Sequence, residues 1–196
     1  AHLKLAFPED IWRLVHPGFD AVLKPITDRI ASLFNGVVND KLSQAQLIEW
    51  QEAFRFVQGH EAWSVHGAWI RSQNPYFGPG IKERFEWAST IDDEQAKAAR
   101  IDTLKNANRV SAYLEGAVIC MPTVSYLAPQ KGHASSAEDR TNAMSLLCIA
   151  SLAGSPQITM PLAVLDGKAV GLSLLSRRFS DRQLLSLAQK IQSLLS

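Results

Sequence analysis

Apolar residues recur every three to four positions in several stretches of the chain, and this spacing predicts amphipathic helices. The stretches are residues 17–36, 43–70, 81–88, 92–115, 143–153 and 180–194. Two of them open with the spacing of a capping box, Ser43 before Gln46 and Ser180 before Gln183. In the helix predicted over residues 92–115, the side chains expected to face inward are Ile101, Leu104, Val110 and Leu114.

Shorter apolar runs predict β-strands, at residues 3–7, 37–38, 117–121, 157–160, 162–165 and 170–175. The run at 117–121 is continuously apolar, which is typical of a strand that is buried on both faces. Asp166-Gly167, between the last two runs, is the strongest hairpin signal in the chain. Strands that alternate with long helices predict an α/β fold, in which a mixed sheet is flanked by helices in one unit over residues 1–196.

Composition and charge are those of an ordinary globular protein. The 196 residues are 46% hydrophobic, with 20 basic and 19 acidic side chains and a formal net charge of +1. Nucleic acids and anionic membranes attract a concentrated basic surface, so neither is an expected partner. No apolar run approaches the roughly 18 to 20 residues that span a bilayer, and residues 1–10 lack the layout of a signal peptide. We therefore expect a cytoplasmic protein.

Three groups of side chains are candidates for chemistry, and each has a simpler structural interpretation. His60 and His66 are six residues apart, whereas a helical zinc site needs two histidines four apart, so no metal site is expected. The serine pair at 135–136 has no flanking glycine to supply oxyanion amides, and a polar loop accounts for it better. Cys120 and Cys148 lie in apolar runs, where we expect reduced core thiols rather than nucleophiles.

Two blocks of sequence are more specific than these candidates. The first block comprises Gln-Gly-His-Glu-Ala-Trp at 58–63, Gly-Ala-Trp-Ile at 67–70, Phe-Gly-Pro-Gly-Ile at 77–81 and Arg-Phe at 84–85. The second comprises Pro-Thr at 122–123, the segment 148–162 that contains Leu-Ala-Gly-Ser-Pro, and Val-Gly-Leu-Ser-Leu-Leu at 170–175. The first block resembles the middle of the bacterial and plant amidases of the amidase-signature family, and the second resembles the C-terminal end of that family in order and spacing. Within the family, the blocks are most similar to the indole-acetamide-type and the general aliphatic and aromatic amidases.

The resemblance implies hydrolysis of a carboxamide by a serine nucleophile, helped by a second serine and a lysine, and it implies no cofactor. In the family these residues lie in the N-terminal half, and the serines belong to a glycine- and serine-rich stretch that also supplies oxyanion amides. No such stretch exists between Ala1 and Ser196. We therefore expect the chain to begin in mid-domain and to correspond to the C-terminal half of the amidase-signature fold, and no catalytic residue is carried over.

The resemblance assigns this half to the walls of the substrate pocket. Two segments, residues 122–126 and the aromatic segment 69–77, would lie near the acyl group of the substrate. They give five candidate substrate-binding residues: Trp69, Tyr76, Phe77, Thr123 and Tyr126. Aromatic walls favour an apolar or aromatic acyl group. The alternative is that the four aromatic side chains simply pack in the core.

Two functions are compatible with these observations. In the first, the chain is the C-terminal part of an amidase, its partner is the N-terminal half of the enzyme, and the two together hydrolyse a small-molecule amide. In the second, it is an inactive remnant or binding module that binds a partner, or that covers its exposed sheet edge with another copy of itself. Under both, the chain alone is expected to be inactive.

Overall fold

A mixed five-stranded sheet forms the centre of the fold, in the order β2-β1-β3-β5-β4. The computed structural model describes residues 3–39 and 43–196. The strands are β1 (Lys4–Ala6), β2 (Val37–Val38), β3 (Ala117–Pro122), β4 (Gln157–Leu165) and β5 (Lys168–Leu175). β1 runs parallel to β2 and β3, whereas β5 runs antiparallel to both β3 and β4. The predicted α/β fold with a mixed sheet is confirmed.

Seven helices of the described residues cover both faces of this sheet. They are α1 (Glu9–Arg13), α2 (Gly18–Ala31), α3 (Gln44–Gln73), α4 (Ile81–Ala88), α5 (Asp93–Leu114), α6 (Ala137–Ala153) and α7 (Asp181–Leu195). Helices α3, α5 and α6 pack on one face, and α2 and α7 pack on the other. None of them, over the ranges that the structure describes, is long and apolar enough to cross a membrane.

The central strand β3 shows why its sequence is continuously apolar. Ile119 and Met121 belong to the core beneath α3, α5 and α6. Val118 and Cys120 belong to the core beneath α2 and α7. Because successive side chains of a strand point to opposite faces, both sets must be apolar when both faces are covered. The prediction of a strand buried on both faces is confirmed.

The hairpin predicted at Asp166-Gly167 joins β4 and β5. Asp166 has φ of 51° and Gly167 has φ of 71°, so both turn residues adopt the positive φ that a type I′ turn requires. The turn pairs the strands over their full length, with a register shift between Pro161 and Ala163 in β4. β4 is the last strand in the sheet order.

Capping boxes begin three of the long helices, and one predicted cap is wrong. Ser43 caps α3 as predicted, and Asp92 and Ser136 cap α5 and α6 in the same way. Ser180 does not cap α7, because its hydroxyl donates a 2.5 Å hydrogen bond to the carbonyl of Arg177 instead. Since Ser136 begins α6, that helix starts six residues earlier than its apolar pattern indicates.

The predicted inward face of α5 is wrong in its first half. Ile101 and Leu104 are 59% and 67% exposed, respectively. The inward side chains of this helix are instead Ala96, Ala99, Asn106, Val110 and Leu114. α5 packs against both α3 and α6, and small side chains such as alanine allow helices to approach closely. The contact between helices, rather than hydrophobicity, therefore selects the buried face.

Candidate functional site

Thr123, one of the predicted wall residues, belongs to a group of four hydrogen-bonded polar side chains that we call the Ser173 cluster: Thr123, Gln157, Thr159 and Ser173. The Ser173 hydroxyl lies at the centre, 2.9 Å from Thr123 Oγ1 and 3.0 Å from Thr159 Oγ1. It also accepts a 3.0 Å hydrogen bond from Gln157 Nε2. Ser173 is fully buried, so its hydrogen-bonding capacity is met entirely by neighbouring side chains. The cluster ties the end of β3 to β4 and β5.

The strand register produces this cluster. Ser173 pairs with Met121 of β3 on one side and with Thr159 of β4 on the other, so side chains of all three strands meet on one face. Gly171 leaves the space that Thr123 fills, because a Cβ at this position would lie only 2.7 Å from Thr123 Oγ1. The Thr123 N–H also donates to the Gly171 carbonyl at 2.9 Å.

Substitution of Gly171 by alanine tests this close approach. We expect Gly171→Ala to displace the Thr123 side chain and to lower the free energy of unfolding by about 1–2 kcal/mol, the usual cost of overpacking. Urea denaturation of the variant and of the unaltered chain measures this loss of stability. Gly116→Ala is the matched control, since no atom lies within 4 Å of a Cβ at that position. Equal stability of the two variants would contradict the interpretation.

The next turn of the chain, which carries Tyr126, is fixed by Ser125. The Ser125 hydroxyl donates to the carbonyl of Asp139 at 3.0 Å. The Ser125 carbonyl accepts a 2.7 Å hydrogen bond from the N–H of His16. Together with the Ser173 cluster, these contacts hold the half-buried Tyr126 in a segment that is attached to α1–α2, α6 and β5.

The second predicted wall is a group of rings from the end of α3, the segment that follows it and α4, which we call the Phe77 group: His66, Trp69, Phe77 and Phe85. Phe77 and Phe85 pack with their centroids 5.2 Å apart. Trp69 contacts Phe77 edge to face at 6.2 Å, and His66 contacts Phe85 in the same way at 6.1 Å. Trp69 is 49% exposed, so this group presents an aromatic surface rather than a closed core.

The five predicted site residues therefore fall into two groups. Trp69 and Phe77 meet in the Phe77 group, whereas Thr123 and Tyr126 lie in the segment after β3. Tyr76 joins neither group by a ring contact or hydrogen bond to a described residue, and its side chain is 94% exposed. No ring contact or hydrogen bond within residues 3–39 and 43–196 links the two groups.

Sequence reasoning missed the partners of Thr123. Gln157, Thr159, Gly171 and Ser173 lie far from Thr123 in sequence, and nothing in the local pattern distinguishes them. The hairpin at Asp166-Gly167 is an incomplete signal, because counting back from a two-residue turn places Thr159 opposite Leu174, and only the register shift between Pro161 and Ala163 brings it opposite Ser173.

The two histidines considered for a metal site contact other side chains, Asp93 and Phe85. His60 Nε2 lies 3.1 Å from Asp93 Oδ1, which connects α3 to the first turn of α5. His66 belongs to the Phe77 group. Within the ranges that the structure describes, no three His, Cys, Asp or Glu side chains come together in a way that could hold a metal ion.

The serine pair at 135–136 has a structural role. The Ser136 hydroxyl accepts a 2.9 Å hydrogen bond from the N–H of Asp139, and the Asp139 carboxylate accepts one from the N–H of Ser136. This capping box begins α6. Ser136 therefore satisfies a free amide of a helix start, and among the described residues no carboxylate, imidazole or amine accepts a hydrogen bond from its hydroxyl.

Both cysteines are buried free thiols, and their ionisation makes a testable difference to stability. Burial raises the pKa of the Cys120 thiol, and it raises the pKa of Cys148 from 9.0 to about 12. The unfolded chain loses these protons near its ordinary thiol pKa, whereas the folded chain keeps them. We therefore expect the free energy of unfolding to fall as the pH rises above about 9.

Urea titrations between pH 8 and pH 11 measure this effect. Cys148→Ala should reduce the slope of stability against pH in that range. A slope that is unchanged by the substitution would contradict the assignment. The native chain should also react slowly with a thiol reagent at pH 8, and both thiols should react after unfolding.

Curated proteins with similar sequences include amidases. Amidase 1 of Arabidopsis thaliana is 34% identical over 175 residues, which cover 85% of this chain and 41% of that protein. The translocon at the outer membrane of chloroplasts 64 of Pisum sativum is 30% identical over 167 residues, 82% of this chain and 27% of that protein. No protein-family model matches. The chain thus spans less than half the length of these curated relatives.

Solved structures share the fold. A crystal structure described as an amidase matches all of this chain and 46% of its own chain, with a TM-score of 0.87 and 18% identity. Allophanate hydrolase from Kluyveromyces lactis matches 98% of this chain and 32% of its own, with a TM-score of 0.75 and 17% identity. The solved structures show that the chain has the fold of part of an amidase, and the sequence similarity to Amidase 1 relates it to the amidase-signature family.

Proposed function

We propose that the chain is the C-terminal part of an amidase and that it forms walls of the pocket in which a carboxamide is hydrolysed to a carboxylate and ammonia. The observation that carries this proposal is the 34% identity to Amidase 1 over 85% of the chain. An amidase activity belongs to that relative, and the present chain spans only part of its length. The family relationship is therefore the basis on which the activity is assigned here.

The described residues support a role in binding rather than in bond cleavage. Nucleophilic catalysis needs a serine or cysteine within hydrogen-bond reach of a base. Over residues 3–39 and 43–196, no serine or cysteine side chain is hydrogen-bonded to the side chain of a His, Lys, Asp or Glu residue. We assign the nucleophile, its base and the oxyanion donors to a segment of an amidase that these 196 residues do not match.

Two surfaces would contact the substrate under this proposal. Tyr126 stands in the segment that the Ser173 cluster and Ser125 hold in place, and a rigid support is what a binding wall requires. Trp69 and Phe77 present an aromatic surface that favours an apolar or aromatic acyl group. The partner that completes the pocket is the N-terminal half of an amidase.

A second candidate function is a binding module without hydrolytic activity. It is favoured by the relative from Pisum sativum, which is named for a translocon and not for an amidase, at 30% identity. In that case the same fold would hold a partner, and completion of the pocket would produce no activity.

Reconstitution separates these two functions. The chain would be produced alone and together with the portion of Arabidopsis Amidase 1 that it does not match, and ammonia release from simple aryl and alkyl amides would be measured. We expect no hydrolysis by the chain alone and hydrolysis by the co-purified pair. Hydrolysis by the isolated chain would contradict the assignment of the nucleophile. A co-purified pair that is inactive would favour the binding module.

If the co-purified pair is active, substitution of a proposed wall residue tests whether that residue contacts the substrate. Tyr126→Ala should raise KM for aryl amides more than for alkyl amides, because it removes an aromatic wall but no reacting group. Lys97→Gln, an exposed change on α5, should leave both values unchanged. Equal effects of the two variants on KM would show that Tyr126 does not line the pocket.

A further inference from the structure

A cavity of about 400 Å³ opens between α7, the end of α2 and one end of the sheet. Its apolar lining comes from Leu3, Phe34, Val118, Leu184 and Leu187. Val118 and Leu184 are almost completely buried and form part of the core. Cavities of roughly 300–1,000 Å³ with apolar linings and a few polar groups are the usual form of small-molecule sites.

Ser176 supplies an unpaired hydroxyl to this cavity. The residue follows β5 directly and is only 4% exposed, and it lines the cavity. Its backbone N–H donates to the carbonyl of Pro156 at 3.2 Å. Its side-chain hydroxyl forms no hydrogen bond with any residue that the structure describes. Because the residue lines the cavity, this hydroxyl is available to form a hydrogen bond with a ligand oxygen.

Lys190 gives the cavity a positive charge. It lines the cavity from the exposed side of α7, and it forms no ion pair or hydrogen bond within residues 3–39 and 43–196. A second groove of about 330 Å³ continues along α7 and shares Gln183, Leu187 and Lys190 with the first. That groove adds Arg182, and no Asp or Glu side chain lines either space.

This cavity is separate from the proposed substrate pocket. Leu3 precedes β1 and Val118 is near the start of β3, whereas Thr123 follows the other end of β3. Five residues of extended chain span about 17 Å. The two sites also lie on opposite faces of the sheet. Val118 belongs to the core beneath α2 and α7, whereas Met121, which pairs with Ser173, belongs to the core beneath α3, α5 and α6.

We propose that this cavity binds a small monocarboxylic acid with an apolar aliphatic or aromatic body. The carboxylate pairs with Lys190, the apolar body lies against Phe34 and Leu187, and the Ser176 hydroxyl forms a hydrogen bond to an oxygen of the acid. The positive charge without a carboxylate in the lining selects an anion over a cation. The apolar residues of the lining accommodate the hydrophobic body of the acid.

Titration of the 196-residue chain with three matched compounds tests the proposal. Octanoate, octanamide and octylammonium share an eight-carbon chain and differ in the charge of the head group. We expect saturable binding of octanoate by calorimetry, at least tenfold weaker binding of octanamide and no binding of octylammonium. In amide NMR spectra, octanoate should shift the signals of residues 33–35 and of α7.

Two variants locate the binding. Lys190→Gln should weaken octanoate binding at least tenfold, a change of about 1.4 kcal/mol, and Ser176→Ala should weaken it about threefold or more. Lys97→Gln on the other face of the sheet is the matched control and should bind as the unaltered chain does. Denaturation curves verify that the variants fold, and Lys190 is exposed enough for its substitution to be tolerated.

Three results would overturn the proposal: no saturable binding of octanoate, equal binding of octylammonium, or octanoate binding that Lys190→Gln leaves unchanged. None of these measurements uses hydrolysis of an amide. Failure of the cavity proposal is therefore distinguishable from failure of the amidase proposal.

Discussion

Trp50→Ala is expected to lower the free energy of unfolding by about 3–5 kcal/mol, the usual cost of removing a buried tryptophan. Trp50 is 1% exposed and belongs to the core in which α3 meets α6 and the sheet. No rearrangement of the neighbouring side chains can fill the space of an indole ring. The loss follows from both the lost burial and the cavity that remains.

Trp69→Ala is the matched control for this prediction, because it makes the same change in the same helix. Trp69 is 49% exposed, so we expect a loss below about 1 kcal/mol. Urea denaturation followed by circular dichroism measures both variants. Trp50→Phe should cost much less than Trp50→Ala, since the Trp50 Nε1 is buried without a partner among the described residues. Equal losses at positions 50 and 69 would contradict the assignment of core and surface.

Ser173→Val is expected to lower the free energy of unfolding by about 2–3 kcal/mol. The valine would fill the central position of the Ser173 cluster with a methyl group, so that Thr123 Oγ1 and Gln157 Nε2 lose their hydrogen-bond partner at half-buried positions. Thr159 loses its partner as well, but it is exposed and can bond to water instead. The loss therefore arises mainly at Thr123 and Gln157.

A double-mutant cycle with Thr123→Val measures the interaction directly. If the two hydroxyls stabilise each other, the double variant should be more stable than the sum of the single effects predicts. Thr159→Val is the control, since its exposed side chain should change stability by less than about 1 kcal/mol. Additive effects of Ser173→Val and Thr123→Val would show that the hydroxyls do not interact.

Features that depend on neighbours in sequence could be predicted, and the hairpin is the best example. The turn needs positive φ at both of its residues, and few residue pairs other than Asp-Gly adopt this conformation at low cost. The pair therefore identifies the turn. The strand β3 could be predicted equally well, since a strand that is covered on both faces must be apolar throughout. Ser43 and Gln46 identify the start of α3 for the same local reason.

Features that depend on the meeting of distant segments could not be predicted. The buried face of α5 contains Asn106 and excludes Leu104, because the contact with α3 and α6 decides it and the spacing of apolar residues does not. The Ser180 hydroxyl donates to the carbonyl of Arg177 and accepts from no amide of α7, which depends on how the loop after β5 is folded. The Ser173 cluster was invisible for a related reason, since it forms only when β3, β4 and β5 are in register.

The outer strand β4 has a further consequence for self-association. A free strand edge invites a second chain to extend the sheet by backbone hydrogen bonds. Pro161 offers no N–H for such a ladder, and the register shift beside it interrupts the straight run that a partner strand would need. Growth of the sheet from molecule to molecule is therefore interrupted in the middle of β4, and two copies that meet at this edge have to do so largely through side chains.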